Sequence, residues 1–235
     1  MENKSTVLIN KFSLAIDLSR NGQTETAHQI WEQLSEIEIG PDSELDRSEF
    51  ITKANLYKAW TLMDLEQFQE AVTVFESKLL HSVLANQPGD TLYEYFFSYA
   101  NALGETGDQK KMESAYLEAM KLAKDLGDPE RMKNCWLNLL YYAELNSWWN
   151  YLEQASRTCI VFAESAEDPR LGLSAGIRRA KALANSGKIK KAEIQAKRNI
   201  QVAIQFKENK ACDLAQEFLN ELEAAFPREV KGDKV

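Results

Sequence analysis

The chain has 235 residues, 44% hydrophobic and 27% charged, and its 28 basic and 36 acidic side chains give a net charge of −8. These values exclude a globally disordered chain, and the acidity weighs against a general nucleic-acid binder. Ten glycines and five prolines are too few for a turn-rich sandwich or barrel, two histidines leave little for metal or acid–base chemistry, and no apolar run nears the roughly 18 residues of a membrane span.

In chain order, the N-terminus MENKSTVLIN has no secretory apolar core, which needs about 7–15 residues. A first helix pair is predicted over 8–40. Leu14, Ala15 and Leu18 share one face before the glycine of RNGQ, and Ala27, Trp31 and Leu34 share one after it. A second pair covers 50–86, with Ala59 and Leu62, then Ala71, Phe75 and Leu79. A third covers 91–127, with Ala100 and Leu103, the turn ETGDQ, then Tyr116, Ala119 and Ala123. A fourth covers 129–167, with Trp136, Leu139, Leu140 and Ala143, then Leu152 and Cys159. A fifth covers 169–207, with Ala180 and Leu183, the turn NSGKI, then Ile189, Ala192 and Ala196. A last helix, 209–226, carries Ala211, Leu214, Ala215, Phe218, Leu222 and Phe226 on one face and serves as a cap. First helices are expected to run about 13 residues, the spacing that the glycine turns leave. No segment alternates as a strand would.

The punctuation between these elements repeats. Asp128-Pro129 and Asp168-Pro169 stand 40 residues apart, Asn209 follows at the same phase, and Pro88 and Pro41 precede it. An aspartate can cap a helix by accepting backbone N–H bonds, and proline fits the first turn, where its missing N–H is no loss. Gly22, Gly107 and Gly187 allow the chain to turn between the helices of a pair.

This pattern resembles tetratricopeptide repeats. The resemblance rests on a small residue within the first helix, a turn glycine, an early alanine and then an aromatic in the second helix. In the first unit these are Ala15, Gly22, Ala27 and Trp31; in the second, Ala59, Phe68 before the second helix, Ala71 and Phe75. The third has Ala100, Gly107, Tyr116 and Ala119, with Met112 for the early alanine. The fourth departs with Ser147 for glycine and Leu152 for alanine, and places Trp149 in the turn; the fifth has Ala180, Gly187, Ile189 and Ala192. The resemblance covers 8–207 and implies a right-handed α-solenoid, all-α, forming a single domain over 1–235. The family period is about 34 residues, so the extra residues are expected in the second helices.

The resemblance also implies a concave groove lined by first helices. Carried over by position, the groove residues are Phe12, Ile16, Lys53, Leu56, Trp60, Met63, Phe97, Asn101, Asn134, Asn138, Tyr141, Arg178 and Lys181. The implied function is a non-catalytic module binding a peptide or segment of a partner protein. An inhibitor or immunity-type protein that masks a toxic partner and a peptide-sensing regulator are the alternatives. The carboxylate clamp found in some relatives does not match, because Phe12 and Ile16 stand where it has lysine and asparagine.

Charge is uneven. Residues 1–169 hold 14 basic and 28 acidic side chains, whereas 170–200 hold nine basic side chains and only Glu193. That block, with Arg178 and Lys181 at the groove end, points to an acidic partner segment. It lacks aromatic residues on which nucleic-acid bases could stack. His28 and His81 are 53 residues apart with no ligand or nucleophile motif around them, so no enzyme, metal or cofactor is expected. Cys135, Cys159 and Cys212 lack paired spacing and read as reduced thiols of a cytoplasmic protein.

Overall fold

Capping aspartates at four helix starts and left-handed residues at eight helix ends divide the chain into helices. A computed structural model describes residues 4–37, 46–77, 80, 81, 84 and 86–227, which contain eleven α-helices and no strand. They are α1 (Lys4–Arg20), α2 (Thr24–Ser35), α3 (Arg47–Asp64), α4 (Phe68–Phe75), α5 (Gly89–Thr106) and α6 (Gln109–Asp125). There follow α7 (Pro129–Leu145), α8 (Trp149–Ser165), α9 (Pro169–Asn185), α10 (Ile189–Phe206) and α11 (Asn209–Ala225). The chain divides into two compact units, Met1–Cys135 and Trp136–Val235, where the sequence reading has one domain. Helix α7 contributes to both.

Eight of the eleven helix ends follow one rule. From the middle of the chain, Gly107, Gly127, Ser147, Glu167, Gly187 and Lys207 all have positive φ, at 20-residue intervals. Gly22 and Glu66 do the same earlier. At each such position the next backbone N–H reaches back to the last turn, as in Asp108 to Leu103 (3.0 Å), Trp148 to Ala143 (2.9 Å) and Lys188 to Leu183 (2.9 Å). This bond satisfies a carbonyl that the helix itself cannot. Two helices and two such turns make the forty-residue period.

At helix starts, Asp46, Asp108, Asp128 and Asp168 each accept from the backbone N–H three residues on, at 3.0–3.2 Å for the first three and 2.9 Å for the fourth. Asn209 does not cap: Glu208 occupies that position in α11 without a side-chain bond, and Asn209 is the first helical residue.

First helices run 17–18 residues rather than 13, and α6, α8 and α10 match them at 17–18. From α5 on, both helices of a pair are therefore long, whereas α2 has 12 residues. Helix α4 is shorter, ending at Phe75; Pro41 and Leu79 lie outside the described residues.

Within each unit, consecutive helices pack on each other, and first helices also meet across a pair: α3 touches α5, and α9 touches α11. Small residues permit this approach. Ala15, Ala27, Ala54 and Ala59 in the first unit are fully buried, as are Ala180, Ala192 and Ala196 in the second. In the first unit they surround Trp31 and Leu34. In the second, Ala180 and Ala196 pack with Leu219, and Leu183 and Ala192 with Leu222.

The cap is present but rotated from its expected face. Ala215, Leu219 and Leu222 are buried, and Phe218 packs beside them. Leu214 and Phe226 are 49% and 53% exposed. The contact surface follows the 215–219–222 line, a narrower stripe than a count of apolar residues suggests.

Candidate interaction site

In the second unit, Arg170, Ser174, Ile177, Arg178 and Lys181 recur at three- and four-residue steps along α9 and share one face. Helix α7 adds Glu144 on one side, and α11 adds Lys210, Ala211 and Leu214 on the other. The cleft they enclose is about 510 Å³, with an apolar floor of Leu173, Ile177, Ala211 and Leu214.

Its electrostatics centre on Glu144. Lys181 Nζ donates to Glu144 Oε1 at 2.7 Å. Arg178 Nε lies 3.1 Å from Glu144 Oε2, close enough for an ion pair though off the line of a hydrogen bond. Arg178 also donates to Ser174 Oγ at 2.5 Å. At the far edge, Arg170 Nε donates to Glu208 Oε1 at 2.7 Å. Four cations thus face two carboxylates around an apolar floor.

The wider basic block is less bare than its sequence suggests. Six of its nine cations meet carboxylates: Arg170 with Glu208, Arg178 and Lys181 with Glu144, Lys188 with Glu153, Lys197 with Glu193, and Arg198 with Glu164. Five of these contacts draw on acids outside 170–200, so much of the segment's positive charge is locally compensated.

In the first unit the aromatic residues work mainly inward. Phe12 meets Trp31 edge-on at 4.8 Å and lies 5.5 Å from Phe50 and 5.7 Å from Tyr57. Tyr57 stacks on Trp31 at 4.7 Å and touches Trp60 at 4.9 Å. Trp60 is half-buried, and its Nε1–H donates to Ser98 Oγ at 2.7 Å. Phe97 is half-buried too, stacked on Tyr93 at 5.5 Å. Asn101 accepts from Tyr116 Oη.

Leu56 corrects the sequence reading: at 3% exposure it belongs to the core and offers no surface to a partner. Helix α3 buries residues on more of its circumference than an edge helix would, because α2, α4 and α5 all pack against it. Ile16 is half-buried against the first core, Met63 is half-buried, and Lys53 is exposed and paired with Glu49. Phe12 and Lys53 line a smaller cleft of about 220 Å³ with Ile9 and Phe50. Asn134 is exposed, Asn138 half-buried, and Tyr141 is 48% exposed one turn before Glu144.

The structure thus brings Arg178 and Lys181 together on Glu144 and adds Arg170, Lys210 and Leu214, which sequence reasoning left out of the groove. Leu214, expected on the buried face of the cap, belongs instead to the apolar floor of the cleft.

The two histidines bond within the fold, and Cys135 and Cys159 are buried. His28 Nδ1 lies 3.0 Å from Thr61 Oγ1, and burial holds its pKa below the usual histidine value against the opposing pull of Glu32. His81 Nε2 lies 3.0 Å from Tyr95 Oη. Burial pushes the Cys135 and Cys159 thiols up to about 12, far from thiolate reactivity. Among the described residues there is no group of three or more metal-ligating side chains, and no helix is long and apolar enough to cross a membrane.

Comparisons with known proteins agree on the fold. No family model and no curated protein matches the sequence. Among solved structures, the chain is similar to a kinesin light chain with TPR-like repeats from Podospora anserina, at TM-score 0.62 and 15% identity, over 88% of this chain and 100% of that one. It is also similar to a Pyrococcus horikoshii STAND ATPase with a tetratricopeptide repeat sensor, at TM-score 0.64 and 13% identity, covering 92% of this chain and 32% of that one. RapI in its apo form matches at TM-score 0.59 and 11% identity, over 93% of this chain and 71% of that one. The fold is a tetratricopeptide-like helical repeat.

Proposed function

We propose that this tetratricopeptide-like chain is a non-catalytic, cytoplasmic interaction module. It binds an acidic segment of a partner protein on the first-helix face of its second unit. The carrying observation is the cleft between α9 and α11, where Arg170, Arg178, Lys181 and Lys210 rim an apolar floor. An extended or helical segment with alternating carboxylates and aliphatic side chains fits that chemistry. Its carboxylates would compete with Glu144 for Arg178 and Lys181, so the exchange gives specificity and association rate more than raw affinity. In the first unit, the small Phe12–Lys53 cleft is a seat for one apolar side chain. Trp60 backs that surface through Tyr57, whose ring touches Phe12.

The test is affinity capture with mass spectrometry, wild type against Lys181→Glu/Lys210→Glu. Both lysines are at the cleft rim, so the fold is expected to survive, as checked by circular dichroism. Partners that are captured by wild type and lost from the variant support the assignment. An unchanged partner set refutes it.

A further inference from the structure

A second cleft shares only Leu173 with the basic one and otherwise has no part in the peptide-binding reading. It measures about 580 Å³ and lies among the C-terminal half of α8, the start of α9 and the middle of α10. Its existence can be traced through the repeat. Forty residues earlier the chain carries Met132, Trp136 and Phe162 where this repeat has Gly172, Gly176 and Val202. Trp136 and Phe162 pack ring against ring at 6.3 Å. In the later repeat that ring pair is gone, and Gly172 leaves open space with only Ala163 Cβ, at 3.5 Å, near a side chain's first atom.

The vacated volume is not simply closed. Two amides stand at positions that hold Cys159 and Ala155 one repeat earlier: Asn199 and Gln195, each 6% exposed. Asn199 Nδ2 donates to the Leu173 carbonyl at 3.0 Å, Gln195 Nε2 donates to Asn199 Oδ1 at 3.1 Å, and Arg179 holds Gln195 Oε1 at 2.9 Å. A buried amide pair is costly unless held in place. Here it forms an ordered polar inner wall to a cleft otherwise lined by Ile160, Val202 and Phe206.

The mouth is negative. Glu164, Glu167 and Asp168 border it; Arg198 meets Glu164 at 3.4 Å, and Asp168 caps α9 and acts on Arg170, which leaves Glu167 as the carboxylate for a ligand. The last turns of α8 and α10 both end there, presenting the negative ends of two helix dipoles, while Asp168 caps the one positive end, that of α9.

We propose that this cleft binds a small amphipathic cation, an aromatic or branched apolar body carrying a protonated amine. The body lies beside Gly172 and Val202, which are smaller than Met132 and Phe162 at the same phase one repeat earlier. The ammonium lies at the mouth beside Glu167, and a polar substituent can meet the amides at the inner end. The volume is in the range of small-molecule sites.

The test titrates 2-(1-naphthyl)ethylammonium into the ¹⁵N-labelled full chain and follows amide shifts. Saturable shifts at Gly172 and at the Asn199 and Gln195 side chains are expected, with Kd on the order of a millimolar or tighter. The anion 1-naphthylacetate, of similar size, should bind more weakly, and Glu167→Gln should weaken the cation by about two- to fivefold. Gly172→Met refills the cleft and should abolish the shifts; Val202→Phe is the second variant should the first fail to fold. No saturable shift, equal or tighter binding of the anion, or wild-type binding by a folded refilled variant overturns the proposal.

Discussion

Gly176 offers the sharpest test of how the second unit is packed. A Cβ added there would lie 2.1 Å from Asn199 Oδ1 and 2.7 Å from its Nδ2. Both distances are far inside van der Waals contact, and Asn199 cannot yield cheaply. Its amide bonds Leu173 and Gln195, and it is almost wholly buried. Gly176→Ala therefore forces Asn199 out of its rotamer. Overpacking costs about 1–3 kcal/mol, and an amide left buried without partners about 1–3 kcal/mol more. A combined loss of roughly 2–6 kcal/mol follows, or about 4–24 °C in Tm for a chain of this size. Urea and thermal unfolding followed by circular dichroism would measure it. Adding Asn199→Ala removes the clashing group, so the double variant should recover at least part of the loss. A single variant within about 0.5 kcal/mol of wild type, the range of a neutral surface change, would refute the close approach of α9 and α10 at this point. A double variant no more stable than the single one would refute its cause.

Ser147→Gly and Glu167→Gly should each stabilise by up to about 1 kcal/mol, because both residues hold a left-handed conformation that disfavours side chains; denaturant midpoints check this, and a loss of stability would contradict the turn geometry. Ending the chain at Lys207 removes Phe218, Leu219 and Leu222 from the second core and should cost about 4–7 kcal/mol, an upper figure by area; an unchanged melting temperature would show that α11 is no cap. His28 is held below its ordinary pKa, so the unfolded chain binds its proton more readily. Its contribution is fully present above about pH 6.5, the unfolded value, and is lost as pH falls through the lower folded value. Stability should fall on acidification in that window, less so in His28→Asn; identical profiles would rule out His28 as a source.

Much of the fold was legible in the sequence because it is written in residues with narrow backbone or capping preferences. Asp128-Pro129 and Asp168-Pro169 mark helix starts, and Gly22, Gly107 and Gly187 mark helix ends, as the structure has them. Ser147, Glu167 and Lys207 do the same job without the glycine signature, so the full 20-residue spacing was visible only in the backbone. The glycine turns occupy only two or three residues, and the first helices that they end run 17–18 residues rather than 13.

The site was less legible. Periodicity places a residue on a face but does not say how many neighbours surround the helix. That is why Leu56, on a helix packed from several sides, reads as surface and lies in the core. Charge composition likewise flagged 170–200 without revealing that Glu144, Glu153, Glu164 and Glu208, distant in sequence, return to meet it.

The stacking of neighbouring helix pairs has a kinetic consequence. The hydrogen bonds, ion pairs and ring contacts described above join residues no more than 45 positions apart, the span from Phe12 to Tyr57. Each therefore closes only a modest loop, with little chain entropy lost before contacts begin to compensate. Such a low contact order favours rapid folding, with nuclei able to start at more than one helix pair and grow outward. During synthesis, a helix pair could dock on its predecessor soon after it emerges, long before the C-terminus exists.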